Sequence, residues 1–190
     1  MLNLKVKTSK EWIDLVLSNF DSFLLDHASC ERKALATNMS FIVKYPDRKE
    51  ILEPIIKMAA EELEHFHQVY KLIEKRGLVL SPDVKDDYIN SMLKHVRVGR
   101  DERLLDRLVL SGIVEARGCE RFQLVADNLE DPELREFYAE LTRCEARHHS
   151  QFIKLASFYF DKETIEKRVN EFLDYEAEAI LNVPLKPILH

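Results

Sequence analysis

An internal repeat of glutamate and histidine residues constrains this chain more than any other feature. In the first half, Glu31 is followed 31 residues later by Glu62-Leu-Glu-His65. In the second half, Glu115 is followed 30 residues later by Glu145-Ala-Arg-His148. A glutamate and a histidine three positions apart lie on one helix face, so both side chains can bind one ion. The repeat therefore predicts two helical hairpins with matching ligand sets.

The turns inside the two halves place the glutamates at matching heights. Glu31 and Glu62 lie at nearly equal distances from the turn at Tyr45-Pro46-Asp47, and the second pair of glutamates flanks Asp131-Pro132 in the same way. Because each helical residue rises by about 1.5 Å, an antiparallel hairpin brings the two members of a pair to the same level. Four carboxylates and two imidazoles can thus meet in one layer.

Such a layer predicts a centre that binds two metal ions. Four unpaired buried carboxylates would cost roughly several kcal/mol each, whereas two divalent cations balance their charge. A glutamate from each of two helices and Glu-x-x-His from each of two others is the arrangement of di-iron and di-manganese proteins. Nitrogen and oxygen ligands without thiolate suit these metals better than structural zinc. The candidate ligands, and so the catalytic candidates, are Glu31, Glu62, His65, Glu115, Glu145 and His148.

A second Glu-x-x-His, formed by Glu64 and His67, competes with the one that begins at Glu62. Glu62 shares its helix face with apolar residues such as Ile55, whereas Glu64 shares its face with charged residues such as Lys57. Helical phase therefore favours Glu62 as the buried ligand. A single Glu-x-x-His arises often by chance in solvated helices, so the interpretation depends on the whole constellation.

The composition favours long helices. The 190 residues include 46% hydrophobic and 33% charged residues but only four glycines and six prolines, which leaves little turn chemistry for an all-β fold. The pattern predicts an all-α, ferritin-like four-helix bundle in a single domain, residues 1–190, with a long crossover that contains an extra helix, and with N- and C-terminal helices. A capping box at Thr8–Glu11 predicts the start of the first helix. The further predicted helices span residues 21–44, 47 or 53 to 76, 81–98, 102–128, 132–160 and 164–178.

The formal net charge of −6 argues against a general polyanion-binding protein but is compatible with a local basic patch. One candidate patch lies near the start of the third long helix, and its substrate-binding candidates are Lys94, Arg97, Arg100 and Arg103, with Arg107 one turn on. A second candidate patch consists of Lys71, Lys75 and Arg76. The alternative interpretation of the first patch is a solvated face in which Asp101, Glu102 and Asp106 neutralise the arginines.

The cysteines and glycines complete the sequence-based expectations. Cys30, Cys119 and Cys144 form no CxxC pattern, which is typical of reduced thiols in a cytoplasm. The sequence has no run of about 18 apolar residues and so predicts no membrane span. The first residues lack an apolar signal core, and we therefore expect a cytoplasmic location. Gly112 and Gly118 lie one turn either side of Glu115. They indicate either close helix packing or space for oxygen or substrate beside the metals.

Three segments resemble a specific family: Glu115-Ala-Arg-Gly-Cys-Glu-Arg-Phe122, Glu61-Glu-Leu-Glu-His-Phe66 and Arg103-Leu-Leu-Asp106. They are similar to the bacterial tRNA hydroxylases that act on 2-methylthio-N6-isopentenyladenosine beside the anticodon, and the resemblance covers nearly the whole chain. It implies a ferritin-like bundle with two iron ions, and hydroxylation of the isopentenyl group with dioxygen and reducing equivalents. It also implies that Glu62 and Glu145 bridge the irons, and that the other four candidates are terminal ligands.

The absence of a CxxC motif implies that electrons come from a separate ferredoxin or reductase. Alternatives from other classes remain open. A ferritin-type iron store typically has fewer histidines at its oxidation site than this chain offers. A rubrerythrin-like peroxidase would have a similar di-iron site but usually carries a CxxC-bearing rubredoxin domain. A purely structural bundle leaves the buried carboxylates unexplained.

Overall fold

The computed structural model describes residues 3–190, which form seven α-helices and no strand. The helices are α1 (Lys10–Ser18), α2 (Phe20–Lys44), α3 (Lys49–Lys75), α4 (Asp87–Leu93), α5 (Arg100–Asn128), α6 (Pro132–Ala156) and α7 (Lys162–Asn182). The predicted all-α class is confirmed. The chain divides into two compact units, one of 18–84 with 187–189, and one of residues up to 17 with 85–186 and 190. That residues 1–190 act as a single domain stays a prediction.

The first unit is built on the packed hairpin of α2 and α3. Its apolar faces bury residues such as Phe41, Ile55 and Val69. α3 ends at Gly77, the predicted stop, whose φ of 68° is a conformation that glycine adopts without strain. The Gly77 N–H donates to the Glu74 carbonyl and the Leu78 N–H to the Ile73 carbonyl, each at 3.0 Å. This Schellman motif ends the helix and turns the chain away from it.

The second unit is built on the packed hairpin of α5 and α6, and α7 packs against both α5 and α4. The Asp131 side chain caps α6, because its Oδ1 accepts hydrogen bonds from the backbone N–H of Glu133 at 2.8 Å and of Leu134 at 3.2 Å. Pro132 follows at the first helical position, as predicted. These two residues fix where the second helix of the hairpin, α6, begins.

The predicted helix that begins at Ser81-Pro82-Asp83 is wrong, since α4 begins only at Asp87. Asp86 is the residue that caps this helix, through a 2.9 Å hydrogen bond from the Ile89 N–H. The Asp83 carboxylate instead accepts a 2.8 Å hydrogen bond from Ser29 Oγ and a second one from Arg32. Asp83 therefore holds its segment against α2 in a non-helical conformation, and only seven residues of the connection form a helix.

The predicted capping box at Thr8 is also wrong. Thr8 donates hydrogen bonds from its backbone N–H (2.9 Å) and its hydroxyl (2.7 Å) to the Glu120 carboxylate on α5. Its hydroxyl is thus engaged by α5, and α1 begins at Lys10, where the Trp12 N–H donates to the Ser9 carbonyl. The last two helix ends also differ: α6 stops at Ala156 because residues 157–159 form turns, and α7 extends to Asn182.

Within residues 3–190, no helix combines the length and the apolar character that crossing a membrane requires.

Candidate metal centre

The first unit brings together Glu31 from α2 with Glu62 and His65 from α3. One ligand atom from each lies within 4.8 Å of the others, and all three side chains are buried. His65 Nδ1 lies 3.7 Å from Glu31 Oε2 and 3.6 Å from Glu62 Oε2, distances longer than a hydrogen bond. Two buried carboxylates this close repel each other unless a cation lies between them. The donor set therefore fits a divalent ion.

His27 completes this cluster, and the sequence analysis did not single it out. Its Nε2 lies 2.7 Å from Glu31 Oε1, and both side chains are buried. One carboxylate oxygen of Glu31 is thus held by His27, while the other faces His65. The only signal in the sequence is the position of His27 one turn before Glu31. That signal does not distinguish it from a histidine of the core.

The second unit brings together Glu115 from α5 with Glu145 and His148 from α6. One ligand atom from each lies within 4.8 Å of the others. Glu145 and His148 are buried and Glu115 is half-buried. His148 Nδ1 lies 3.1 Å from Glu145 Oε2, at hydrogen-bond distance. The cluster repeats the composition of the first one, with two carboxylates and one imidazole, and it fits a divalent ion for the same reason.

The two competing Glu-x-x-His pairs on α3 differ in burial, as helical phase predicts. The side chains of Glu64 and His67 are 61% and 60% exposed, and their nearest charged atoms are 3.9 Å apart. Glu62 and His65, each two residues before its counterpart in the competing pair, are buried. The pair Glu64–His67 therefore lies on the solvated face, outside the cluster.

All three cysteines are buried free thiols. Cys119 Sγ donates to the Thr142 carbonyl at 3.4 Å, and burial, with the charge of Glu145 as a smaller cause, raises its pKa to about 11. Cys144 Sγ lies 4.0 Å from His148 Nε2 and accepts a hydrogen bond from Arg147 at 3.0 Å. Cys119 is thus protonated near neutral pH.

The two glycines beside Glu115 have different surroundings. A Cβ atom at Gly112 would lie 3.2 Å from the His149 carbonyl oxygen and 3.4 Å from Phe152 Cβ, so this glycine allows close packing of α5 on α6. A Cβ atom at Gly118 would meet nothing within 4 Å, although Gly118 is buried. Gly112 therefore fits the interpretation as close helix packing, and Gly118 does not.

Two arginines of the proposed basic patch, Arg97 and Arg103, form hydrogen bonds within the protein. Arg97 Nη2 lies 2.8 Å from Asp106 Oδ1, and Arg168 Nε lies 2.6 Å from the same oxygen. Burial alone raises the pKa of Asp106, but hydrogen bonds from both arginines outweigh burial and lower it. The Arg97 charge is thus largely neutralised, as the alternative interpretation expects. Arg103 Nε donates to the Arg97 carbonyl at 3.3 Å, while Lys94 and Arg100 are exposed.

Comparison with known proteins gives one family. Residues 2–190 match the family described as tRNA-(MS2IO6A)-hydroxylase (MiaE). A relative from Pseudomonas putida, named tRNA 2-(methylsulfanyl)-N(6)-isopentenyladenosine(37) hydroxylase, is 36% identical over 173 residues, which cover 91% of this chain and 84% of the relative. A relative of the same name from Salmonella typhimurium is 35% identical over 137 residues, which cover 72% of this chain and 50% of the relative.

A solved structure extends the comparison to the fold. It is described as a protein with aldehyde deformylating oxygenase activity from Synechococcus. It aligns with 100% of this chain and 96% of its own, with a TM-score of 0.94 and 33% identity. This likeness confirms the predicted ferritin-like fold class.

Proposed function

We propose, since this chain belongs to the tRNA-(MS2IO6A)-hydroxylase (MiaE) family, that it hydroxylates the isopentenyl group of 2-methylthio-N6-isopentenyladenosine beside the anticodon of tRNA. The observation that carries the proposal is the pair of matching clusters, each with two carboxylates and one imidazole. Such donors suit an oxygen-activating iron site rather than a structural zinc site. Since tRNA is the substrate, we place the enzyme in the cytoplasm.

In this proposal the residues of the two clusters would hold the two iron ions. The family resemblance implies that Glu62 and Glu145 would be the bridging ligands, and that Glu31, His65, Glu115 and His148 would be the terminal ligands. When bound, the two irons would supply the two electrons that activate dioxygen for attack on an unactivated carbon. The chain's own residues fix the ligands: His27 holds Glu31 through a 2.7 Å contact, and the buried surroundings of Glu62 exclude water.

Turnover in this proposal needs partners besides tRNA. Each hydroxylation consumes one dioxygen and two electrons from outside, and the sequence contains no CxxC motif for a rubredoxin-type centre. An external ferredoxin or reductase therefore supplies the electrons. For the contacts with tRNA, Lys94, Arg100 and Arg103 remain candidates with Arg97. Because Arg97 is paired with Asp106, its main role is to hold the other residues of the patch in position.

Replacing Glu62 should empty the metal centre, and replacing Glu64 should not. Glu62→Ala removes a buried carboxylate of the first cluster, whereas Glu64→Ala removes an exposed one two residues away. We expect about two irons per chain in the wild type and in Glu64→Ala, and loss of iron and turnover in Glu62→Ala. Metal analysis after anaerobic loading with ferrous iron measures this. A Glu62→Ala variant with both irons and full turnover would contradict the ligand set.

The origin of the product oxygen tests the reaction class. Hydroxylation through reduced irons takes one oxygen atom from dioxygen, whereas a hydrolytic metal site takes it from water. With isotopically labelled dioxygen and modified tRNA, we expect mass spectrometry to find the label in the hydroxylated nucleoside. Label that arrives from water would exclude the monooxygenase reaction.

A second candidate activity follows from the solved structure, which is 33% identical across the whole chain. The protein would then act on an aldehyde instead of a prenylated nucleoside. Parallel assays on tRNA with the isopentenyl group, tRNA without it, and an aliphatic aldehyde distinguish the two. Conversion of the aldehyde with no change in either tRNA would favour this second activity.

A further inference from the structure

Two aromatic rings on α3 lie between cations on the surface of the first unit. Phe66 and Tyr70, one helical turn apart, have ring centroids 6.4 Å apart, and both side chains are half-buried. The Arg32 guanidinium lies 5.5 Å from the Phe66 centroid, and Lys71 Nζ lies 5.8 Å from the Tyr70 centroid. We call Arg32, Phe66, Tyr70 and Lys71 the α3 aromatic surface. Neither the core nor the metal cluster accounts for it.

Two residues of this surface are neighbours, in sequence, of residues of the first metal cluster. Arg32 follows Glu31 in sequence, and Phe66 follows His65. Since successive helical residues turn by about 100°, each of these neighbours points away from the buried cluster while staying at its level. The contact of Arg32 with Phe66 therefore lies at the outer edge of the cluster formed by Glu31 and His65.

The charges on this surface are balanced by nearby acids. Arg32 forms an ion pair with Asp83, and Lys71 Nζ lies 3.0 Å from Glu74 Oε2. Local pairing of this kind leaves little net positive charge for phosphate groups. Since a cation lies over one face of each ring, the surface offers a partner the exposed parts of the two half-buried rings and the Arg32 guanidinium. Their cations are held in place by their own partners.

We propose that the α3 aromatic surface stacks an unpaired base of the anticodon loop, next to the adenosine that carries the isopentenyl group. The inference rests on the proposed function, because it assumes a tRNA substrate. The isopentenyl tail is short, so its base must lie close to the cluster, and the flanking nucleotides must contact the surface around it. Proteins recognise single-stranded RNA by stacking its bases on aromatic rings and guanidinium planes. Phe66 and Tyr70 supply the rings at the required place.

The first experiment measures tRNA binding by the iron-loaded protein. Phe66→Ala and Tyr70→Ala should each weaken binding of the modified tRNA by about tenfold, the order expected for loss of one stacked base. Tyr70→Phe, which keeps the ring, should bind like the wild type. Phe158→Ala, at a phenylalanine of the second unit that is 50% exposed, is the matched control and should also bind like the wild type. Because stacking involves no counterion release, the slope of log Kd against log salt should stay unchanged.

A second experiment detects stacking itself. The fluorescent base 2-aminopurine, placed beside the modified adenosine in the anticodon loop, should be quenched on binding to the wild type and to Tyr70→Phe. Quenching should be lost in Tyr70→Ala. Melting temperature and iron content show whether each variant is folded, and if Phe66→Ala does not fold, the Tyr70 pair alone decides the question.

Three results would overturn the inference. One is tRNA binding by both alanine variants that equals the wild type. Another is a reduced salt slope, which would show that the surface binds phosphate. The last is unchanged tRNA binding with slower reduction of the irons by the electron donor, which would assign the surface to a protein partner. If the wild type does not hydroxylate modified tRNA, the proposed function itself fails; if it does and the variants bind normally, only this inference fails.

Discussion

Among single residues, His27 has the clearest mechanical task, because its 2.7 Å contact fixes one oxygen of Glu31. Replacing His27 by Leu would leave the carboxylate without this partner, and removal of such a supporting residue typically weakens metal binding about 10–100-fold. We expect the largest loss in His27→Leu and a smaller one in His27→Gln, whose amide can still donate. Competition between the protein and a chelator for iron measures the affinity. His67→Leu, at an exposed imidazole, is the control.

Equal iron affinity in His27→Leu and His67→Leu would contradict this role.

The residues of the candidate site differ in how well the sequence predicts them. Glu62 and His65 could be found because their three-residue spacing recurs in the second half and because helical phase separates them from Glu64. His27 could not be found, since its partner Glu31 lies at a spacing that any helix offers. Arg97 was ambiguous for another reason: whether its charge faces solvent or a buried Asp106 depends on the packing of other segments around it.

Among the helices, α5 carries a matched pair of glycines for a test of packing. Gly112→Ala places a methyl group 3.2 Å from the backbone carbonyl of His149, which cannot move easily, so we expect a loss of stability. Gly118→Ala meets no atom within 4 Å, so the better helix propensity of alanine should stabilise the fold by about 0.5–1 kcal/mol. Urea unfolding of both variants measures whether the free energy of unfolding falls or rises. Stabilisation by Gly112→Ala would show that α6 can retreat from α5.

The helix ends show which local signals decide an element. Gly77 and Asp131-Pro132 end and begin helices as predicted, because a left-handed glycine and an aspartate cap act within their own turn. The start of α4 was mispredicted because Asp83 is held by Ser29, which lies 54 residues earlier in the chain. A contact over that distance overrides a local capping pattern, and no local pattern encodes it.

On the scale of the whole molecule, the buried carboxylate of Asp106 makes stability depend on pH. Its pKa is lowered in the folded state, so the unfolded chain binds this proton at a higher pH than the folded one. The stabilisation is therefore complete above the ordinary aspartate pKa of about 3.9 and is lost as the pH falls through the lower, folded value. Asp106→Asn should lose about 3 kcal/mol at pH 7 and show less additional loss in acid.

Urea unfolding at pH 7 and pH 3 measures both effects. Asp14→Asn is the control, because Asp14 forms an exposed pair with Lys10 that should contribute little. An Asp106→Asn variant with the same acid sensitivity as the wild type would place the titrating group elsewhere.

The whole-molecule view also shows what composition can predict. The low glycine and proline content and the helical periodicity were enough to predict an all-α chain, and the repeat was enough to predict two helical hairpins with matching clusters of glutamate and histidine. Composition gave no hint that Arg117 and Glu176 form a fully buried ion pair, with Nη2 and Oε1 2.7 Å apart. From the sequence alone, a charged residue in a helix is expected to be exposed. Only the packing of its neighbours shows that it is buried.

The state of Cys119 has a consequence for the working lifetime of the enzyme. If the metal centre activates dioxygen as proposed, oxidants that escape from it would damage cysteine mainly through its thiolate. With a pKa of about 11, Cys119 has almost no thiolate at neutral pH, and its sulfur is hydrogen-bonded and buried. Cys119 lies two residues before Arg121 on the helix that supplies Glu115, and it is therefore a poor target for oxidation. Inactivation by self-oxidation should begin at other residues.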